Sequence, residues 1–128
     1  MSGRIVQLSG LDHTWFIDVD GTIVPHNTYL RGEPDELLPG VREFWDSIPA
    51  GDAIVIVSAR DEAFKGSTLA AIQKYGLRFD HAIFGLPFGE RILVNDIKPN
   101  GLHTAHAVNV QRDVGLSDIT IEVTEFGE

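Results

Sequence analysis

Apolar and polar positions along this chain switch between two periods. His13 to Val19 reads as a first strand, with Ile17 and Val19 on one face and Asp18 and Asp20 on the other. Apolar residues on both sides of Phe16 mark it as a central strand. Ala53-Ile54-Val55-Ile56-Val57 is a continuous run of the kind buried on both faces of a sheet. His81-Ala82-Ile83-Phe84 and Arg91-Ile92-Leu93-Val94 read as shorter strands, and Ala107-Val108-Asn109-Val110, after Leu102 to Ala105, as a last parallel one. Ser117 to Glu125 alternates Ile119, Ile121 and Val123 with polar neighbours, which predicts an edge strand.

Helical spacing fills the gaps. Val41, Phe44, Trp45 and Ile48 fall at i, i+3, i+4 and i+7, with Pro39 in the first turn and Pro49 and Gly51 as the stop. Phe64, Thr68, Ala71, Ile72 and Tyr75 share a second stripe, stopped by Gly76 and weakened at its start by Gly66. Residues 21–38, punctuated by Pro25, Asn27, Gly32 and Pro34, predict a small flap or hairpin over the end of the first strand. Lys98-Pro99-Asn100-Gly101 is a turn by composition. The order of elements predicts one parallel α/β sheet flanked by helices, in a single domain over residues 1–128, with its motif-bearing core at about 14–110.

Composition narrows the chemistry. At 128 residues the chain is long enough for a true core, and no stretch approaches the roughly 20 apolar residues of a membrane span. The apolar segment near the N-terminus is too short for a secretory signal, so the expected location is cytoplasmic. Zero cysteines exclude disulfides, thiolate catalysis and Cys-ligated zinc. A formal net charge of −9 argues against nucleic acid and anionic membranes as partners. It leaves room for a phosphorylated small molecule, because a bound divalent cation reverses the local field.

Polar residues recur where buried strands end. Asp18, Asp20, Ser58 and Asp96 fall at the carboxyl ends of predicted strands, where open α/β sheets bind ligands. Two carboxylates are held close at low cost if Mg²⁺ neutralises them, with oxygens from Asp18, Asp96 and the backbone carbonyl of Asp20. Ser58 and the neighbouring backbone amide of Ala59 would donate hydrogen bonds to a phosphate. Each residue also has a plainer reading. Ser58 is suited to capping the next helix, Arg60 to pairing with Asp61 or Glu62, and Lys98 to solvation in a polar turn. His103 and His106, at i and i+3, lack a third ligand nearby and read as structural.

Asp18-Val19-Asp20-Gly21-Thr22 resembles the first motif of the haloacid dehalogenase (HAD) superfamily of phosphohydrolases. Ile54 to Ser58 is similar to the second motif and Ile92 to Asp96 to the fourth, in the correct order over about residues 14–99. Within that superfamily the chain most resembles small capless proteins associated with capsule or surface-polysaccharide genes. The resemblance implies a HAD-like Rossmannoid sheet without a large cap. It also implies a Mg²⁺-dependent phosphomonoester hydrolase, with a sugar phosphate as one candidate substrate class. Asp18 would attack phosphorus and form an aspartyl-phosphate, Asp20 would move the protons, and Gly21 and Thr22 would orient the loop.

One departure concerns the third motif. Gly85-Leu86-Pro87 stands where the small relatives carry Gly-Lys-Pro, leaving Lys98 as the best substitute cation and Lys65 and Arg60 as weaker ones. A second is Asn95, beside Asp96. Leu86 keeps open the alternative of a catalytically weak or inactive protein that binds a phosphate or sugar nucleotide. A phosphorelay receiver domain is disfavoured because the Asp-x-Asp-Gly-Thr lies on the first motif-bearing strand. Without a cap, water would be excluded by the flap, by the substrate or by a second subunit in a homo-oligomer.

Overall fold

The computed structural model describes residues 3–124, so Glu125, the end of the expected last strand, lies outside the described residues. Five short strands and two helices make a small α/β domain: β1 (Arg4–Leu8), β2 (Thr14–Asp18), α1 (Val41–Ser47), β3 (Ala53–Val57), α2 (Lys65–Lys74), β4 (His81–Ile83) and β5 (Ile119–Val123). All pairing between them is parallel, but it forms two open sheets where one was expected. One sheet is ordered β2-β3-β4; the other pairs β1 with β5, Arg4 opposite Ile119.

The buried run of β3 is the middle strand, as its sequence requires, with Thr14 opposite Ala53 and Val55 opposite His81. β2 is an edge strand, not a central one. Its alternation still sorts its faces: Ile17 and the following Val19 are buried, whereas Thr14 and Phe16 are exposed and Asp18 is half-buried. Trp15 meets Phe44 of α1 edge to face, ring centroids 5.7 Å apart.

Among the described residues neither Arg91–Val94 nor Ala107–Val110 is a strand. β-branched side chains favour extended backbone, but a strand also needs a partner, and among the described residues no strand pairs with 91–94. Ile92 and Val94 are consequently more than four-fifths exposed. β1, which the pattern did not single out, forms because β5 returns to pair with it.

α1 buries its stripe as the spacing dictates, whereas of the stripe expected for α2 only Thr68 and Ile72 are buried and Phe64, before the helix starts, is exposed. Val41, Phe44, Trp45 and Ile48 are all buried, each contributing about 1.5–3 kcal/mol. The Trp45 indole donates to the Arg78 carbonyl at 2.8 Å. α1 begins at Gly40, in the left-handed region at φ +76°, where a Cβ would lie 2.4 Å from the Ser117 backbone nitrogen. Leu116 N–H donates to the Pro39 carbonyl beside it, at 2.8 Å. This contact joins the approach to β5 to the start of α1, so that Leu116 and Ile119 enter the same core as Ile54 and Ile56. α2 ends where Gly76 turns left-handed, φ +80°.

The segment read as a flap, residues 21–38, connects β2 to α1. It contains a turn of 3-10 helix at Thr28–Arg31, and its base is an isolated parallel bridge between Asp20 and Val24.

Candidate functional site

Asp18 ends β2 and is the pivot of the site. Three backbone N–H groups, of Thr22, Ile23 and Val24, converge on the Val19 carbonyl at 2.9–3.3 Å, wrapping the chain tightly just after the strand. Gly21 permits that wrap at φ +82°, and a Cβ there would press on the Arg112 side chain at 3.1 Å. The turn also brings the Thr22 hydroxyl to within 3.3 Å of Asp18 Oδ2, to which it donates.

The loop is braced from the far end of the chain. Asp113 N–H donates to the Gly21 carbonyl at 2.9 Å, and Asp113 Oδ1 accepts from the His26 N–H at 2.8 Å. Residues near 113, for which the sequence suggested no role, thus hold the first motif's turn.

A cavity of about 720 Å³ opens along β2, and Asp18, Thr22, Asp96, Lys98, His103 and His106 all lie on its wall. Asp96 and Lys98 reach it from a loop folded on itself: Lys98 N–H donates to the Leu102 carbonyl, Asn95 donates to the Thr104 hydroxyl, and that hydroxyl donates to the Asp96 carbonyl. Leu86, where the resemblance called for a lysine, donates its backbone N–H to the Ser58 carbonyl at 3.1 Å. The cation at Asp18 is one the sequence did not suggest: Arg91 Nη1 lies 2.9 Å from Asp18 Oδ1.

Asp20 does not share this cavity wall. Its carboxylate is taken by Arg60, whose Nε donates to Oδ2 at 3.0 Å and Nη2 to Oδ1 at 2.9 Å. The same guanidinium forks onto Asp35, Nη1 to Oδ2 and Nη2 to Oδ1, each at 2.9 Å, and gives its last N–H to the Thr68 hydroxyl. All five donors of an arginine are thereby used. Tyr29 stacks on the outer face, its ring centroid 4.1 Å from the guanidinium carbon. Burial would by itself lower the Arg60 pKa, but the hydrogen bonds and negative charges of Asp35 and Asp20 outweigh it and raise it. Burial, and then the charge of Asp20, raise the Tyr29 pKa.

Arg60 is therefore neither a substitute phosphate ligand nor a surface pair with Asp61 or Glu62. It is a buried clamp between the flap and the sheet. Ser58 is also reassigned: fully buried, its hydroxyl accepts from the Arg60 N–H at 3.0 Å, and neither it nor Ala59 lines the cavity with Asp18. Ser58 closes a local turn onto Arg60 and does not cap the following helix: there Asp61 is the cap, its Oδ1 accepting from the Ala63 N–H at 2.9 Å. Lys65 begins α2, away from the cavity wall.

The expected metal set of Asp18, Asp20 and Asp96 is not gathered. Among the described residues no three acids or histidines come together as a metal cage. Asp18 and Asp96 do share the cavity wall. Carboxylate oxygens are the hard donors that suit Mg²⁺, which binds through one or two carboxylates together with substrate phosphate, so the chemistry of these two residues fits the ion. The Asp20 side chain, committed to Arg60, is not part of it.

Among the described residues no helix is long and apolar enough to cross a membrane. No family model, curated protein or solved structure matches the chain.

Proposed function

We propose that the chain is a HAD-like phosphomonoester hydrolase in which Asp18 is the nucleophile. The observation that carries this reading is the placement of Asp18. A half-exposed carboxylate at the carboxyl end of a parallel strand is oriented by Thr22 and faces a cavity that also holds Lys98 and Asp96. Nothing in the core calls for a carboxylate there.

In this reading Asp18 Oδ attacks phosphorus in line, forming the acyl-phosphate bond as the bond to the leaving alcohol breaks. Lys98 offsets the charge of the phosphoryl oxygens. Asp20, in its protonated form, gives the leaving oxygen its proton and later takes one from the water that hydrolyses the aspartyl-phosphate; both transfers require its carboxyl to leave the Arg60 fork and turn into the cavity, whose wall it does not line. Asp18 and Asp96 are the side chains that would hold Mg²⁺, with the Asp20 backbone carbonyl. When bound, the ion would screen the phosphate from the acids and polarise the phosphoryl group. Sugar phosphates are the substrate class to assay first.

A second reading has its own observation: with both oxygens of Asp20 occupied by Arg60, the site would bind a phosphorylated ligand without turning it over. Phosphate release from a panel of phosphomonoesters, with Mg²⁺ and with a chelator, separates the two. Mg²⁺-dependent release from at least one substrate supports the hydrolase. Absence of release from every substrate contradicts it.

A further inference from the structure

Arg91 contributes little to the fold. Its side chain is 41% exposed, and its neighbours Ile92, Leu93 and Val94 lie on a segment with no strand partner among the described residues. Its pairing with Asp18, itself 33% exposed, is a partly solvated ion pair of a kind that adds at most about 1 kcal/mol to stability. Yet its guanidinium, not itself on the cavity wall, lies against a part-exposed carboxylate that lines the cavity and is oriented by a hydroxyl.

From this placement we propose that Arg91 is the phosphate-recognising residue of the site and, without ligand, the guard of Asp18. The inference rests on Asp18 being the reactive carboxylate. Only Nη1 contacts Asp18, so the rest of the planar fork remains for an incoming phosphoryl group, whose oxygens match it in geometry. A phosphate dianion entering the cavity draws the guanidinium away from the carboxylate. The same movement releases Asp18 for attack and places positive charge on the phosphoryl oxygens. Arg91 thus supplies from the adjacent segment the cation that Leu86 lacks. Its place on a segment outside either sheet, with a side chain 41% exposed, leaves it room for both positions.

The test measures binding of inorganic phosphate by calorimetry to the full-length wild type, Arg91→Ala and Arg91→Lys, alongside KM and kcat on the best phosphomonoester. The expected result is a rise of about ten- to a hundredfold in the phosphate Kd and in KM for Arg91→Ala, the loss of one or two charge-assisted hydrogen bonds. Arg91→Lys should fall between the two, because an ammonium keeps the charge and loses the fork. Thermal unfolding of all three should coincide, which a structural role would not allow. Equal phosphate affinity in wild type and Arg91→Ala overturns the proposal, as does a wild type that binds no phosphate. Phosphate binding that depends on Arg91 in a protein without turnover upholds Arg91 and removes the hydrolase reading instead.

Discussion

Arg60 and Asp20, 40 residues apart in sequence, meet through two hydrogen bonds of 3.0 and 2.9 Å in a site where the arginine side chain is 1% exposed. Since Asp35 takes the other side of the same guanidinium, one residue ties the turn after β2 and the flap to the end of β3. Removing it leaves two carboxylates facing each other with no counter-charge. Arg60→Ala should therefore lose about 3–5 kcal/mol in urea unfolding. Arg60→Lys, which cannot make both forks, should recover only part of it. An Arg60→Ala variant as stable as the wild type would show that the clamp does not hold the flap.

How much of this was legible in the sequence depends on how local the cause is. α1, α2 and β3 follow from spacing within a few residues; the buried stripes of α1 and β3 are those the sequence predicts, while of the α2 stripe Thr68 and Ile72 are buried and Phe64 is exposed. Asp18 also emerged from a local pattern, because strand alternation separates it from Ile17 and Val19. Arg60 did not, since its acidic partners lie 40 and 25 residues away while Asp61 and Glu62 stand beside it in sequence. Arg91 was hidden by its own apolar neighbours, which made the segment look like a covered strand. The pairing of β1 with β5 is more distant still, Arg4 standing opposite Ile119.

Asp52 anchors the entry to β2 in a similar manner. It is buried, and it accepts from the His13 N–H at 2.9 Å, from Trp15 Nε1 at 2.8 Å and faces His13 Nδ1 at 2.8 Å. Burial alone would raise its pKa; the hydrogen bonds from Trp15 and from His13 outweigh that and hold it below the ordinary carboxylate value. A carboxylate depressed in the folded state stabilises fully above its unfolded pKa and loses that contribution as pH falls through the folded one. Wild type should therefore exceed Asp52→Asn in Tm at neutral pH, and the gap should narrow below about pH 4. A gap that is constant down to acid unfolding would assign the loss to shape and not to charge.

Three glycines separate backbone strain from steric clash. Gly32 and Gly40 both have positive φ, but a Cβ at Gly32 meets nothing within 4 Å, whereas at Gly40 it strikes Ser117. Gly32→Ala should lose about 1–2 kcal/mol from the left-handed conformation alone. Gly40→Ala should lose clearly more. Gly66 lies in α2 with open space around it, so Gly66→Ala should stabilise by about 0.5–1 kcal/mol. Thermal or urea unfolding of the three variants gives the ranking directly.

The identity of the nucleophile is tested most directly by comparing Asp18→Asn with the wild type on the best phosphomonoester found, at saturating Mg²⁺. The substitution is nearly isosteric, and Thr22 keeps an oxygen to donate to. Phosphate release should fall by about a thousandfold or more while the folded state persists in thermal unfolding. Release that stays within about tenfold of the wild type would contradict Asp18 as the group that attacks phosphorus.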